Sequence, residues 1–376
     1  MAALGGSALT ALGLAGLSGL RLARSERRLT GRWRQLPVEP RGSTLLGVSF
    51  RPVQAEAFGL DPRAALQALL ALPFQTIRLA AYWNRLEPEP DSFDGGELDW
   101  QVEAAEQAGK RIVLCVGAVK AFGYPEFFVP AHRLSGPLPE GSLIDRESHP
   151  SLLAASIDFV KRIVERYRGR DSVAAWQVEH EAVDPLGMEH SWRLSFDFVA
   201  EEVAAVRRAD PMRPVVMNGF LPTSLPVHLQ QWWRTRDQGD SLAVARRLAD
   251  VVGIDYYPRH AMAGGRGWAL YLSGSLRRWP PAAIRAGSRR GPLMITEGQA
   301  EPWEAVTVPP SPGLRGMYSC LPEDLIRNYN HCLSWGRRAG ARLDAYLFWG
   351  AEYWLLRKDQ GDMSYMDAFA RVLNSA

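Results

Sequence analysis

Cysteine is scarce in this chain: Cys115, Cys320 and Cys332 are the only three in 376 residues. Their spacing builds neither a disulfide framework nor a metal knot, and Cys115, inside RIVLCVG, reads as a small buried hydrophobe. Histidine is sparse as well. None of the seven forms a His-x-His pair or stands at metal-ligand spacing beside a carboxylate, which argues against a metal-dependent hydrolase. Lysine is nearly missing, with only Lys110, Lys120, Lys161 and Lys358 among 44 basic residues. Beside abundant Ala, Leu and Gly this reads as a base-composition bias and says little about function. The formal net charge of +3 is too small to imply a polyanion, so no nucleic-acid partner is expected. Low-complexity linkers and internal repeats are also lacking, which points to one main domain.

The N-terminus differs from the rest. Residues 1 to 20, MAALGGSALTALGLAGLSGL, carry no charge, and Arg21, Arg24, Arg27 and Arg28 follow. That run is just long enough to cross a hydrocarbon core of ~30 Å. No basic residue precedes it, as a secretory signal would require. Residues 1–40 are therefore expected to be an apolar membrane anchor or uncleaved signal with a basic linker, placing the protein at a membrane or outside the cytoplasm; a disordered or surface-lying segment is the alternative. The side of the membrane and the oligomeric state are left open.

From residue 41 onward two patterns alternate. Short β-rich runs occur at 44–50, 76–82, 111–117, 173–179, 213–218, 249–256, 292–297 and 343–349. Helical patterns lie between them. DPRAALQALLAL opens with Asp61 as N-cap and Pro62 at the first helical position, and ELDWQVEAAEQAGK ends at Gly109. Eight strands alternating with helices over this length predict a single (β/α)8 TIM barrel spanning 41–376. A doubly wound open sheet is the alternative, weakened because no glycine-rich phosphate loop follows the first strand.

In such a barrel, chemistry belongs at the C-terminal ends of the strands. The fourth run ends in WQVEHE, with Glu179, His180 and Glu181, and the seventh ends in ITEGQAEPW with Glu297. The second carries Arg78, the sixth ends in Tyr256-Tyr257, and the eighth ends at Trp349. Alternation puts Arg78, Ala80 and Tyr82 on one face. If that face points inward, the guanidinium needs a carboxylate, with Glu297 and Glu179 as the natural partners. Two facing carboxylates, one held ionised and one protonated, are what retaining glycoside hydrolysis needs.

These strand ends, with TIRLAAYWNRLEPEP and FWGAEYW, resemble the retaining clan A (β/α)8 glycoside hydrolases that include the cellulase-like family 5. The resemblance implies an acid/base at Glu181, a nucleophile at Glu297, and a supporting Arg78. It also implies a tyrosine, Tyr256 or Tyr257, hydrogen-bonded to the nucleophile, and no cofactor. The function implied is hydrolysis or transglycosylation of a β-linked glycan or glycoconjugate. One position departs: His180 stands where the clan has asparagine, the residue that contacts the sugar 2-hydroxyl. A catalytically impaired carbohydrate-binding barrel at the membrane is the alternative that this departure motivates.

Bland roles compete for several of these residues. Glu179 suits a structural partner of a buried arginine better than chemistry. Lys120 reads as a surface or substrate-contacting amine sooner than as a Schiff base. Sugar rings pack on flat aromatics, and Tyr82, Trp83, Phe122, Tyr124, Trp303, Trp349, Tyr353 and Trp354 all follow strands. Trp303 and Trp349 are the candidates for substrate contact. The segment 258–290, with helix-like and glycine-rich pieces, is expected to wall one side of the cleft.

Overall fold

The eight β-rich runs become eight parallel strands. They are β1 (Leu45–Ser49), β2 (Thr76–Ala80), β3 (Arg111–Cys115), β4 (Val173–Gln177), β5 (Val215–Phe220), β6 (Val251–Tyr256), β7 (Leu293–Gln299) and β8 (Leu343–Trp349). In this computed structural model, which describes residues 20–24, 31–123, 126–185, 192–265, 268–274, 292–302, 319–338 and 340–375, they close into one barrel. Each strand pairs with its neighbour in sequence, and β7–β8–β1 completes the ring. Strands covered on both faces need apolar residues at nearly every position, which is why these runs read as continuous hydrophobic stretches.

The intervening helices are amphipathic because one face must cover the barrel. The longer ones are α1 (Pro62–Leu70), α2 (Gly96–Gln107), α3 (Pro150–Tyr167), α4 (Phe196–Ala209), α5 (Leu225–Thr235), α6 (Ser241–Leu248), α7 (Pro322–Arg338), α8 (Ala351–Asp359) and α9 (Ser364–Leu373). The Asp61 carboxylate accepts from the Ala64 amide at 2.9 Å, capping α1 as its sequence indicates. Gly109, at φ 66°, closes α2 in the left-handed conformation.

Inside the barrel, Val113, Ala175, Val216, Met294, Ala345 and Leu347 form an apolar floor. Gln177 and Asn218 stand two residues beyond Ala175 and Val216 on the same strands, and with Arg78 and Asp255 they point inward, all four buried. They make a polar belt between the floor and the mouth.

Two stretches differ from the sequence expectation. Residues 31–40 are packed rather than a free linker. Trp33 is buried in the main core, Arg371 donates to the carbonyls of Trp33 and Leu36, and Tyr329 donates to Glu39 O at 3.0 Å. The apolar ring of Trp33 finds cover here that a linker would not give it. Within 258–290, expected to hold helix-like and glycine-rich pieces, Arg259–Gly265 and Trp268–Ser273 form an antiparallel hairpin, with Leu20–Arg24 as a third strand. Residues 1–19 of the uncharged run and 275–290 lie outside the described residues. Among those described, no helix is long and apolar enough to cross a membrane.

Candidate active site

Arg78 organises the belt, and its chemistry fixes every orientation around it. A guanidinium can only donate. Its Nε donates to Gln177 Oε1 at 2.7 Å, so the Gln177 amide nitrogen faces the other way. That nitrogen donates to Glu179 O at 2.9 Å and to Asn218 Oδ1 at 3.1 Å. Asn218 Nδ2 is then left to donate to Asp255 and to His180 Nδ1, the latter at 2.9 Å. Arg78 Nη2 stands 3.4 Å from the same ring nitrogen. Nδ1 is therefore the lone-pair nitrogen, and the imidazole proton sits on Nε2. Burial first, then the charges of Arg78 and Lys120, hold the His180 pKa well below the usual histidine range, so the ring is neutral.

Glu297 reaches the mouth through an irregularity in β7. The pairing of β7 with β6 shifts register between Ile295 and Glu297, so both Thr296 and Glu297 can reach the barrel interior. Thr296 Oγ1 donates to Asp255 at 2.6 Å. Glycine follows because a Cβ at Gly298 would lie 2.2 Å from the Tyr346 hydroxyl. Arg78 Nη1 lies 2.7 Å from one Glu297 oxygen, and the Tyr257 hydroxyl donates to the other. Of the two adjacent tyrosines, then, Tyr257 meets Glu297, whereas Tyr256 turns into the main core.

The turn after β4 is strained. Glu179 and Glu181 both have positive φ, 55° and 42°, uncommon for residues with a side chain. Glu179 does not pair with Arg78 as expected; its carboxylate accepts from the Val119 and Lys120 amides. Gln177 takes the place beside the guanidinium, β4 ends at that residue, and the positive φ of Glu179 turns its side chain out of the strand's alternation. Lys120 is likewise neither a surface nor a substrate-facing amine. It is buried, with Nζ donating to the carbonyls of Glu181 (2.8 Å) and Asp184 (3.0 Å). Its ammonium thus holds the strained turn.

Glu181 and Glu297 face different electrostatics. Burial pushes the Glu181 pKa well above the carboxylate range, and Asp255, Glu126, Asp184 and Glu297 add like charge. Burial raises the Asp255 pKa too, while Arg78 and hydrogen bonds from Thr296, Glu181 and Asn218 pull it back down, so of the two Glu181 keeps its proton more firmly. Burial and Asp255 also push Glu297 up, to about 8, but Arg78 and Tyr257 pull against them. Of the two glutamates, Glu297 is therefore the more readily ionised, because Arg78 and Tyr257 stabilise its charge, and Glu181 holds its proton more firmly.

The aromatic group is smaller than expected. Tyr82, Phe122 and Trp349 cluster at the mouth with Phe128, Phe220 and Tyr257, while Trp83, Tyr353 and Trp354 belong to the main core. Their neighbours are helices, whose apolar faces draw them outward from the barrel. Trp303 and Tyr124 lie outside the described residues. The Arg78 guanidinium sits 4.0 Å from the Phe122 ring centroid. Beneath Trp349 lies another buried guanidinium, one that the sequence reading passed over: Arg51, 4.1 Å from the ring centroid. Arg51 is gripped by Glu301 (2.8 Å) and Glu352 (2.6 Å). Gln177, Asn218 and Asp255 were also passed over. A polar residue inside an apolar strand, as in VVMNGF and VVGIDY, is the signal that could have found the last two.

Residues 65–195, which include Arg78, His180 and Glu181, match the family model described as a β-galactosidase, glycoside hydrolase family 42. No curated protein matches the chain. Among solved structures, the GH5_18 protein of Streptomyces cattleya in complex with GlcNAc is 14% identical at a TM-score of 0.55, over 90% of this chain and 80% of that one. A psychrophilic family 10 endo-β-1,4-xylanase is 16% identical at 0.53, over 92% and 99%. A family 10 endoxylanase from a sugarcane soil metagenome is 18% identical at 0.50, over 82% and 85%. At these identities the structures speak for the fold, and the family model speaks for the sequence of residues 65–195. Both agree with the likeness carried by the strand ends: this chain is similar to the retaining (β/α)8-barrel glycoside hydrolases.

Proposed function

We propose that this protein is a retaining glycosidase or transglycosidase acting on a β-linked glycan or glycoconjugate, with Glu297 as nucleophile and Glu181 as acid/base. The observation that carries this reading is the split between the two glutamates. Glu297 is gripped by Arg78 and Tyr257, which stabilise a carboxylate, while Glu181 is buried among carboxylates that favour its protonated form. In the first step Glu297 attacks the anomeric carbon, and the glycosidic C–O bond breaks as its oxygen takes the Glu181 proton. In the second, Glu181 removes a proton from water, or from an acceptor hydroxyl, whose oxygen displaces Glu297. No cofactor enters either step.

Such double displacement predicts retention of configuration. Followed by proton NMR on a panel of aryl β-glycosides, the first-formed sugar should be the β-anomer. Initial release of the α-anomer would sink the assignment of roles. Sugar binding without turnover across the panel would favour a binding barrel instead.

His180 fits the leading reading. With Nδ1 accepting from Asn218, the ring keeps one N–H to offer to a sugar hydroxyl, as the clan's asparagine does. In His180→Asn the amide oxygen can accept from Asn218 while the nitrogen donates, so most activity should survive. His180→Ala should lose about 10²-fold in kcat, mainly on sugars with a 2-hydroxyl, and little on 2-deoxy analogues. Because the imidazole pKa is held well below the ordinary histidine range, protonation of His180 should not set the acidic limb of the wild-type profile. Equal losses on both substrates would make His180 simple pocket lining.

A further inference from the structure

The acid/base has a neighbour that the two-glutamate scheme does not use. A carboxylate oxygen of Glu126, a ring nitrogen of His180 and a carboxylate oxygen of Glu181 lie within 4.8 Å of one another. Glu126 stands on the loop after β3, fixed where its carbonyl accepts from the Ala121 amide at 3.1 Å, beside the bridge between Lys120 and Phe127. We propose that Glu126 acts through Glu181: its negative charge keeps the catalytic proton on Glu181 at neutral pH and strengthens Glu181 as a base in the second step. This rests on the reading of Glu181 as the acid/base.

The other charges around Glu181 are committed elsewhere. Asp255, from β6, is held by Asn218 and Thr296. Glu297, from β7, is held by Arg78 of β2 and by Tyr257. Asp184, on the same turn, accepts from the Ser241 amide and from Gln231. His180 is neutral. Lys120 is the counterweight, with Nζ 3.5 Å from Glu126 Oε2, but it also serves the carbonyls of Glu181 and Asp184. Glu126 is therefore the charge that can be removed without dismantling the belt, and its removal also leaves the Lys120 cation less neutralised. Both effects favour the Glu181 carboxylate.

The test is kcat/KM against pH for Glu126→Gln and Glu126→Asp. The alkaline limb should move to lower pH by about half to one unit in the glutamine variant, the scale of a partly screened charge at this range, and stay in place in the aspartate variant. If Glu126 only pairs with Lys120, the glutamine variant will be slower at every pH with the limb unmoved, and the proposal falls. Should that variant be too slow to profile, the infrared carbonyl band of protonated Glu181, identified by its loss in Glu181→Gln, can be titrated in the resting protein. Loss of the band at lower pH in Glu126→Gln supports the proposal, and an unchanged titration overturns it. If the wild type shows no such band at neutral pH, the assignment of Glu181 as the acid fails as well.

Discussion

Glu297→Ala should lower kcat by at least ~10⁴-fold, the scale on which removing a nucleophile stops other enzymes. The cavity left beside Arg78 and Tyr257 should admit a small anion. Azide would then restore turnover of activated aryl glycosides, giving a glycosyl azide of inverted configuration, because one displacement replaces two. Glu181→Ala should behave differently. Substrates with good leaving groups need little proton donation, so their first step should survive, and azide should yield a product of retained configuration. Chromatography with NMR of the azide products separates the two outcomes. The same configuration from both variants would mean that the two roles are wrongly assigned. Stability should move the opposite way from activity in Glu181→Gln. The folded-state pKa of Glu181 is raised, so its burial penalises the fold above the unfolded carboxyl pKa of about 4.3 and not below it. The glutamine variant should therefore melt a few degrees higher (~2–4 °C) near pH 7, with the gain fading toward pH 4.

Arg51→Met should be strongly destabilising. Arg51 is fully buried, and its guanidinium is the shared partner of Glu301 and Glu352, both buried too. Removing one member of a buried ion group strands the others, at a cost of about 3–5 kcal/mol. A fall in Tm of about 4–6 °C at pH 7.5 follows for a chain of this length. Burial already pushes the Glu301 pKa up, and Arg51 pulls it down. Without Arg51 that carboxyl rises further and holds a proton in the fold while the unfolded chain releases it above about pH 4.3. The deficit should therefore be largest at neutral pH and shrink as pH falls toward 4. Melting curves of both proteins at pH 4.5 and 7.5 check the sign. An equal deficit at both would mean that the loss comes from packing under Trp349 and not from stranded charge.

The barrel was legible because its strands are covered on both faces and its helices on one, and those burial patterns write themselves into the apolar spacing. The ends of the carboxylate-bearing strands were legible for a similar reason: WQVEHE and ITEGQ place charged groups directly after apolar runs. Other features depend on which way a side chain turns. Tyr256 and Tyr257 are neighbours of one type, and only the barrel decides which meets Glu297. Arg51 looks like any arginine after a strand, since its partners Glu301 and Glu352 are brought to it by closure of the ring. The neutral Nε2–H state of His180 is further still from the sequence. It follows from a chain of donors that begins at Arg78 and passes through Gln177 and Asn218.

The seam between β1 and β8 also sets a timetable for synthesis. Arg51 and Glu352 are separated by 301 residues, so the cation emerges from the ribosome long before the carboxylate that partners it. At ~5–20 residues per second the wait is on the order of tens of seconds. During that interval the early strands can pair with one another, but the ring stays open and Arg51 stays solvated. Closure, and with it the platform under Trp349, must wait until β8 has been made. Fragments cut short before β8 consequently present open strand edges beside an unneutralised arginine, the kind of surface that chaperones and proteases recognise.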